Sequence, residues 1–195
     1  MNDRLDESET LPLQDLDLFT RLTQYFDAFE QHLRAGHGWF IFNASGARAL
    51  RVSAFIAGRV NEYRPWVSSY LVPWREFSLN AYMVEVELHA ISEPDSLEGK
   101  ARAEFDIASR VSRDQMVKMV ASDLLIVTGL RPNHPHEIEF LDKAIEQRFR
   151  QQLSTILISP QLPHELSVTF DQTVPGAPLW DRLFDRMYQR AFIAL

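Results

Sequence analysis

Cysteine is absent, which excludes disulfides and any thiolate metal site. No run of apolar residues approaches the ~20 that a bilayer-crossing helix needs, although hydrophobic residues make up 46% of the chain. The opening residues, Met1-Asn2-Asp3-Arg4-Leu5-Asp6-Glu7-Ser8-Glu9, have neither the basic region nor the apolar stretch of a secretory signal. These absences lead us to expect a cytoplasmic protein with no membrane partner. Positive charge is also short: 20 Lys and Arg against 27 Asp and Glu leave a net charge of −7. A broadly basic nucleic-acid surface is not indicated, though a local basic groove fits within that balance. The 195 residues suit one compact domain. We read residues 1–18 as an acidic, disordered lead and 19–195 as a single α/β domain.

What is present is an alternation of helices with short apolar runs. Phe19, Leu22, Tyr25, Phe26, Phe29 and Leu33 recur at helical spacing. Gly36 and Gly38 end that helix, and Trp39 to Phe42 reads as the first strand. A helix follows from Arg48 to about Asn61, then a strand from Trp66 to Val72, ended by Pro73. Residues Trp74 to Ile91 read as helical, although Val84, Val86 and Leu88 alternate as in a strand. A polar helix follows the break at Ser92-Glu93-Pro94-Asp95, and Arg113 to Ala121 forms another. Leu124 to Val127 is a wholly apolar strand of the kind covered on both faces. After Pro132 and Pro135, residues Ile138, Leu141, Ile145, Phe149 and Leu153 mark a helix. Thr155 to Ser159 is a strand stopped by Pro160. A polar loop with Pro175, Gly176 and Pro178 leads to a last helix carrying Leu179, Leu183, Phe184 and Met187. Ala191 to Leu195 forms a final strand. Short apolar strands alternating with helices predict a parallel sheet covered on both faces.

The chain is organised around Gly38-Trp39-Phe40-Ile41-Phe42-Asn43-Ala44-Ser45-Gly46-Ala47-Arg48-Ala49-Leu50-Arg51. It reads as a strand, a tight turn and the first turn of a helix, the setting of a phosphate-binding P-loop of pattern GxxxxGK[ST]. On that pattern the first glycine is Asn43, Gly46 is an internal glycine, the second glycine is Arg48, the lysine is Ala49 and the hydroxyl residue is Leu50. Ser45 lies within the same turn.

The order of these parts over residues 20–195 resembles the AAA+ domain of bacterial helicase loaders and related proteins, the DnaC, IstB and DnaA-like group. The resemblance implies a three-layer, parallel-sheet P-loop NTPase-like core (AAA+, RecA-like) without a C-terminal lid domain. In that family a strand of the form LLIIDD ends in two acidic residues that serve magnesium and water; here Leu124-Leu125-Ile126-Val127 runs into Thr128-Gly129. The next strand of the family, of the form TIITSN, ends in an asparagine; here Thr155-Ile156-Leu157-Ile158-Ser159 ends in Pro160. A later helix supplies an arginine to a neighbouring subunit. The matching segment, Asp181-Arg182-Leu183-Phe184-Asp185-Arg186-Met187, offers Arg182 and, as the better match, Arg186.

These departures predict degenerate Walker A and Walker B motifs. Ala49 brings no charge to a phosphate, Leu50 cannot ligate magnesium, and Arg48 adds a side chain where backbone must approach closely. Thr128 and Gly129 carry no carboxylate. Phosphoryl transfer rests on positioning and charge neutralisation, so losing all three motifs should remove it. The expectation is a pseudo-ATPase with no cofactor and no catalytic residues. It would work as an adaptor in DNA replication or a related DNA transaction. Its partner would be a replicative helicase, a sliding clamp, an initiator or an active AAA+ relative; homo-oligomers fit as well. The alternative is a nucleotide-binding protein with an unconventional P-loop, binding without efficient hydrolysis. Arg48 or Arg51 would then replace the lysine, and Asp123 is a candidate carboxylate.

Other features admit two readings. Gln14, Leu16, Asp17, Leu18 and Phe19 resemble the peptide by which bacterial proteins dock on the replication clamp, and their place resembles that in the Hda proteins. The other reading is a helix start with Leu16 and Phe19 on the domain's own core. Arg48 and Arg51 either bind an anion at a helix N-terminus, or are merely solvated, or fill the vacated pocket by pairing with nearby acids. Arg182 and Arg186 either act on a neighbour or lie on a solvated face beside Asp181 and Asp185. His134-Pro135-His136 reads as a surface loop rather than a metal site. Tyr63, Trp66, Tyr70, Trp74 and Phe77 read as core before base-stacking surface. Ser45 and Ser159 have no histidine–acid partners at any motif spacing.

Overall fold

A computed structural model describes residues 13–63, 66–92 and 99–195. The strands are β1 (Gly38–Ile41), β2 (Ser69–Pro73), β3 (Leu124–Thr128), β4 (Ser154–Ile158) and β5 (Ala191–Ala194). They form one sheet in the order β2-β3-β4-β1-β5, and every neighbouring pair is parallel. Register places Ile41 beside Ile158 and Thr128 beside Ile158, so β1, β3 and β4 end level with one another.

Alternation along each strand divides the core in two. Trp39, Ile41, Leu124, Ile126, Ile156 and Ile158 face one side. There they meet helices α1 (Leu13–Asp27), α2 (Phe29–Ala35) and α3 (Gly46–Glu62) through residues such as Leu18, Leu22, Phe26, Phe29, Val52 and Ile56. Phe40, Leu125, Val127 and Leu157 face the other side. That face is covered by α4 (Trp74–Ser92), α5 (Gly99–Ala121), α6 (Pro135–Arg150), α7 (Pro163–Thr173) and α8 (Leu179–Arg190). The three-layer parallel α/β architecture is thus the one expected.

Several boundaries differ from the sequence reading. The lead does not extend to residue 18: α1 starts at Leu13, and Asp15 and Leu18 are buried. Residues 1–12 lie outside the described residues. The first helix is two, parted at Ala28. Gly36 caps α2 in a left-handed conformation (φ 69°), whereas Gly38 belongs to β1. A Cβ at Gly38 would come within 1.8 Å of the Thr155 carbonyl oxygen of β4, so glycine is required there. Residues 74–92 are helical despite the alternation of Val84, Val86 and Leu88, and residues 99–121 form one helix rather than two. Helix α7 stands in a segment read as loop. Its start is marked by Pro163 in the first turn and by Glu165, which accepts the Leu162 N–H at 2.8 Å.

Arg148 is fully buried and holds the second layer to the sheet. Its guanidinium donates to the carbonyls of Met119 (2.7 Å) and Ser122 (2.9 Å), at the end of α5, to the Ser154 carbonyl (2.5 Å) and to Thr155 Oγ1 (3.0 Å) of β4. The last carbonyls of a helix lack partners within it and carry the negative end of its dipole, so a cation is well placed there. Burial pushes the Arg148 pKa down to about 10, while the charge of Asp123 acts in the opposite direction.

Candidate functional site

An open parallel sheet leaves a crevice at the carboxyl ends of its strands where the connections diverge to either side. Here that place lies over β1, β3 and β4. It brings together three segments distant in sequence: the 42–45 loop, Thr128 to Leu130, and Ser159 to Gln161. Their main chains are tied directly. The Asn43 N–H donates to the Gln161 carbonyl at 3.1 Å and the Ala44 N–H to the Ser159 carbonyl at 2.9 Å. The Leu130 N–H donates to the Ile158 carbonyl at 2.9 Å. Buried Ser159 donates its hydroxyl to the Leu130 carbonyl (3.0 Å) and accepts the Gln161 N–H (3.1 Å). The loop positions a P-loop would use thus meet at one edge, but Asn43 and Ala44 spend their N–H groups on the neighbouring loop.

The turn itself is sharp. Asn43 (φ 54°) and Gly46 (φ 52°) both take left-handed conformations, which asparagine tolerates better than most residues. Helix α3 starts at Gly46, and Ser45, preceding it, makes no side-chain cap bond. Arg48 and Arg51 lie in the first turns of α3 and converge on Asp15 of α1. Arg48 Nε lies 2.8 Å and an Arg51 terminal nitrogen 2.6 Å from its two carboxylate oxygens. Asp15 is only 2% exposed. The rest of the Arg48 fork reaches the main-chain oxygens of Asn43 (2.9 Å), Phe42 (3.3 Å) and Leu195 (2.8 Å). One guanidinium therefore closes the end of β1, the turn after it and the end of β5. The geometry pairs both arginines with an acid, and that acid comes from α1.

The other loop positions are unlike ligands. Ala49 is half-buried against the α1–α3 core, whereas Leu50 is 74% exposed. Thr128 and Pro160 are half-buried, and Gly129 is exposed with φ 72°. Asp123 does not reach this edge. It precedes β3 at the opposite end of the strand, where its carboxylate accepts the Ser68 N–H (2.8 Å) and hydroxyl (2.7 Å). Among the described residues, no three His, Asp or Glu side chains form a group that could hold a metal ion.

Two arginines of α8 turn toward α6. Arg186 bridges Asp142 (2.6 Å) and Glu146 (3.1 Å) of α6, and Arg182 meets Asp142 at 3.0 Å. Their acids are thus on α6 and are not Asp181 or Asp185. The clamp-peptide segment is helical. Leu18 is buried, and the Phe19 ring packs 5.1 Å from that of Phe55. Leu16 is exposed, Asp17 lies 3.9 Å from Arg21, and the Gln14 side chain is outside the described residues. The segment is thus part of a helix with Phe19 turned inward, but Leu18, and not Leu16, is the leucine that joins it on the core. His134 precedes α6 and Pro135 opens it; Glu137 accepts the N–H groups of Asn133 (2.6 Å) and His134 (3.2 Å). Trp74 and Phe77 are core, whereas Trp66 is 85% exposed.

No family model matches the chain, and no curated protein matches it. Solved structures do. The DnaC helicase loader aligns with a TM-score of 0.63 at 10% identity, over 94% of this chain and 90% of that one. The corresponding figures for DnaI are 0.60 and 11%, over 96% and 84%. AMPPCP-bound DnaA from Aquifex aeolicus aligns at 0.57 and 12%, over 94% of this chain and 47% of that one. The likeness is one of fold. The chain has the three-layer parallel α/β fold of these proteins, as the order of its strands and helices led us to expect. The shared identity is too low to carry function from those proteins to this one.

Sequence reasoning missed Asp15, the residue on which the site turns. Its signal was a lone carboxylate in a segment read as disordered. Only the packing of α1 on α3 brings it to Arg48.

Proposed function

We propose that this chain is a non-catalytic AAA+-fold protein that acts by binding other proteins. The observation that carries the proposal is the pairing of Arg48 and Arg51 with the buried carboxylate of Asp15. A P-loop brings backbone N–H groups, a lysine and a helix N-terminus to an anionic ligand. Here the anion beside the first turns of α3 is a carboxylate of the chain itself. The cation is Arg48, which is bonded to main-chain oxygens, and Ala49 stands at the lysine position. Asp15 pairs with both arginines, so a phosphate would have to compete with the chain's own carboxylate for them.

The fold of the DnaC helicase loader, DnaI and DnaA supports a setting in DNA replication or a related DNA transaction. Candidate partners are a replicative helicase, an initiator, a sliding clamp or an active AAA+ relative. A phosphate-release assay with ATP and magnesium, run beside binding assays with each purified candidate, tests the reading. It expects saturable binding to one of them and no turnover. ATP turnover that disappears when Arg51 is changed to alanine would overturn it.

A further inference from the structure

The charges of α8 are sorted by side. Arg182 and Arg186 turn to Asp142 and Glu146 of α6, while Arg190 donates to the Phe149 carbonyl (2.6 Å) and lies 4.1 Å over the Phe149 ring. All three arginines are therefore spent within the fold. Leu179, Leu183 and Met187 form the buried stripe. Between that stripe and the solvent runs a ladder of aromatic rings at four-residue spacing: Trp180, Phe184 and Tyr188. Their centroids are 5.4 Å apart (Trp180–Phe184) and 6.2 Å apart (Phe184–Tyr188), with the latter pair stacked. Phe170 of α7 supports the inner end, 5.6 Å from Trp180 edge-on. The outer end is open, Tyr188 being 69% exposed. One residue along from each of the first two rings stand Asp181 and Asp185, both exposed.

Aromatic faces attract cations through the ring quadrupole, and guanidinium groups stack on them. Carboxylates beside the rings add the opposite charge. The same carboxylates oppose a nucleic-acid backbone, which disfavours the other common use of an aromatic ladder, base stacking. We infer that the outer face of α8, formed by Trp180, Phe184, Tyr188, Asp181 and Asp185, is a docking surface for an arginine-bearing helical segment of another protein. This inference rests on the protein-binding reading and names the chemistry of the partner. Rows of arginine on such a segment would lie over Phe184 and Tyr188 and pair with Asp181 and Asp185. The chain's excess of acidic residues over basic ones, leaving −7 overall, favours encounter with a cationic partner.

The test uses a synthetic amphipathic helical peptide with arginines at four-residue spacing, and a control in which glutamates replace them. Binding is read by NMR from the Trp180 indole and by calorimetry. The arginine peptide is expected to shift the Trp180 signal and to bind. Tyr188→Ser and the Asp181→Asn/Asp185→Asn pair are each expected to weaken binding by about tenfold or more. Asp17→Asn, an exposed acid on α1, should leave it unchanged. All these positions are exposed, so an unchanged melting temperature checks that the variants fold. The inference is overturned if Asp17→Asn weakens binding as much as the ladder variants do, because binding then follows net charge alone. It is also overturned if single-stranded DNA or a second copy of the chain occupies the ladder instead. Neither outcome touches the nucleotide assay, so failure here is distinguishable from failure of the non-catalytic reading.

Discussion

Replacing Asp15 by asparagine removes the one carboxylate that Arg48 and Arg51 share, without changing its size. The guanidiniums left behind are partly exposed and Arg48 keeps its main-chain carbonyls, so Asp15→Asn should cost about 1.5–3 kcal/mol of stability, the worth of a hydrogen bond to a charged group, read from the denaturant midpoint. A surface pair would cost far less, roughly 0.5 kcal/mol. Arg148 sets a second case. Arg148→Met keeps much of the apolar volume but orphans the Met119, Ser122 and Ser154 carbonyls. Its expected loss is at least about 3 kcal/mol, from roughly 1–3 kcal/mol for each of three unsatisfied buried groups, measured in the same way. Neither interaction could be read from the sequence. Arg51 and Asp15 are 36 positions apart, and nothing in the spacing joins them. What the sequence carried was a comparison with a pattern: with GxxxxGK[ST] laid from Asn43, Ala49 and Leu50 fall at its lysine and hydroxyl positions.

At the scale of elements, α1 is part of the domain rather than a lead. Leu18→Ala should destabilise by about 2–4 kcal/mol, because Leu18 is buried in the α1–α3 core. Exposed Leu16→Ala should change stability by no more than about 0.5 kcal/mol. The two thermal melts together separate a packed helix from a free docking peptide. Helix α2 carries a pH effect. His32 stacks on Tyr25 at 4.7 Å and faces His37, the two Nδ1 atoms being 3.3 Å apart. Burial, then the charge of His37, lowers the His32 pKa from its ordinary 6.5. The unfolded chain therefore takes up a proton on His32 before the folded one does. That contribution to stability is fully present above pH 6.5 and is lost as pH falls below it. Melting temperature should drop on mild acidification, and His32→Gln should flatten part of that drop. Strands such as Leu124–Val127 and Thr155–Ile158 were legible because their apolar runs are short, rich in β-branched residues and closed by Gly129 and Pro160. Helix α7 was not, since Pro160, Pro163 and a polar stretch resemble a loop until the Glu165 cap is seen.

For the molecule as a whole, the alternation of short strands and helices was enough to predict a parallel sheet with two covered faces. The strand order was not in the sequence, because pairing between β1 and β4 joins residues more than a hundred positions apart, Trp39 with Ile156. That order gathers the 42–45 loop, Thr128–Gly129 and Pro160 at one edge, and it carries Asp123 to the opposite one. The same packing seats Asp15 against Arg48, so the first turns of α3 and the hold on α1 are one structure. Titration calorimetry of the whole chain with ATP and magnesium tests this most directly. We expect no saturable heat from the unaltered protein. Saturable one-to-one binding that is lost in Arg51→Ala, with the variant still folded, would mean that the Asp15 cluster opens to admit a nucleotide, and would contradict a site closed by the chain's own carboxylate.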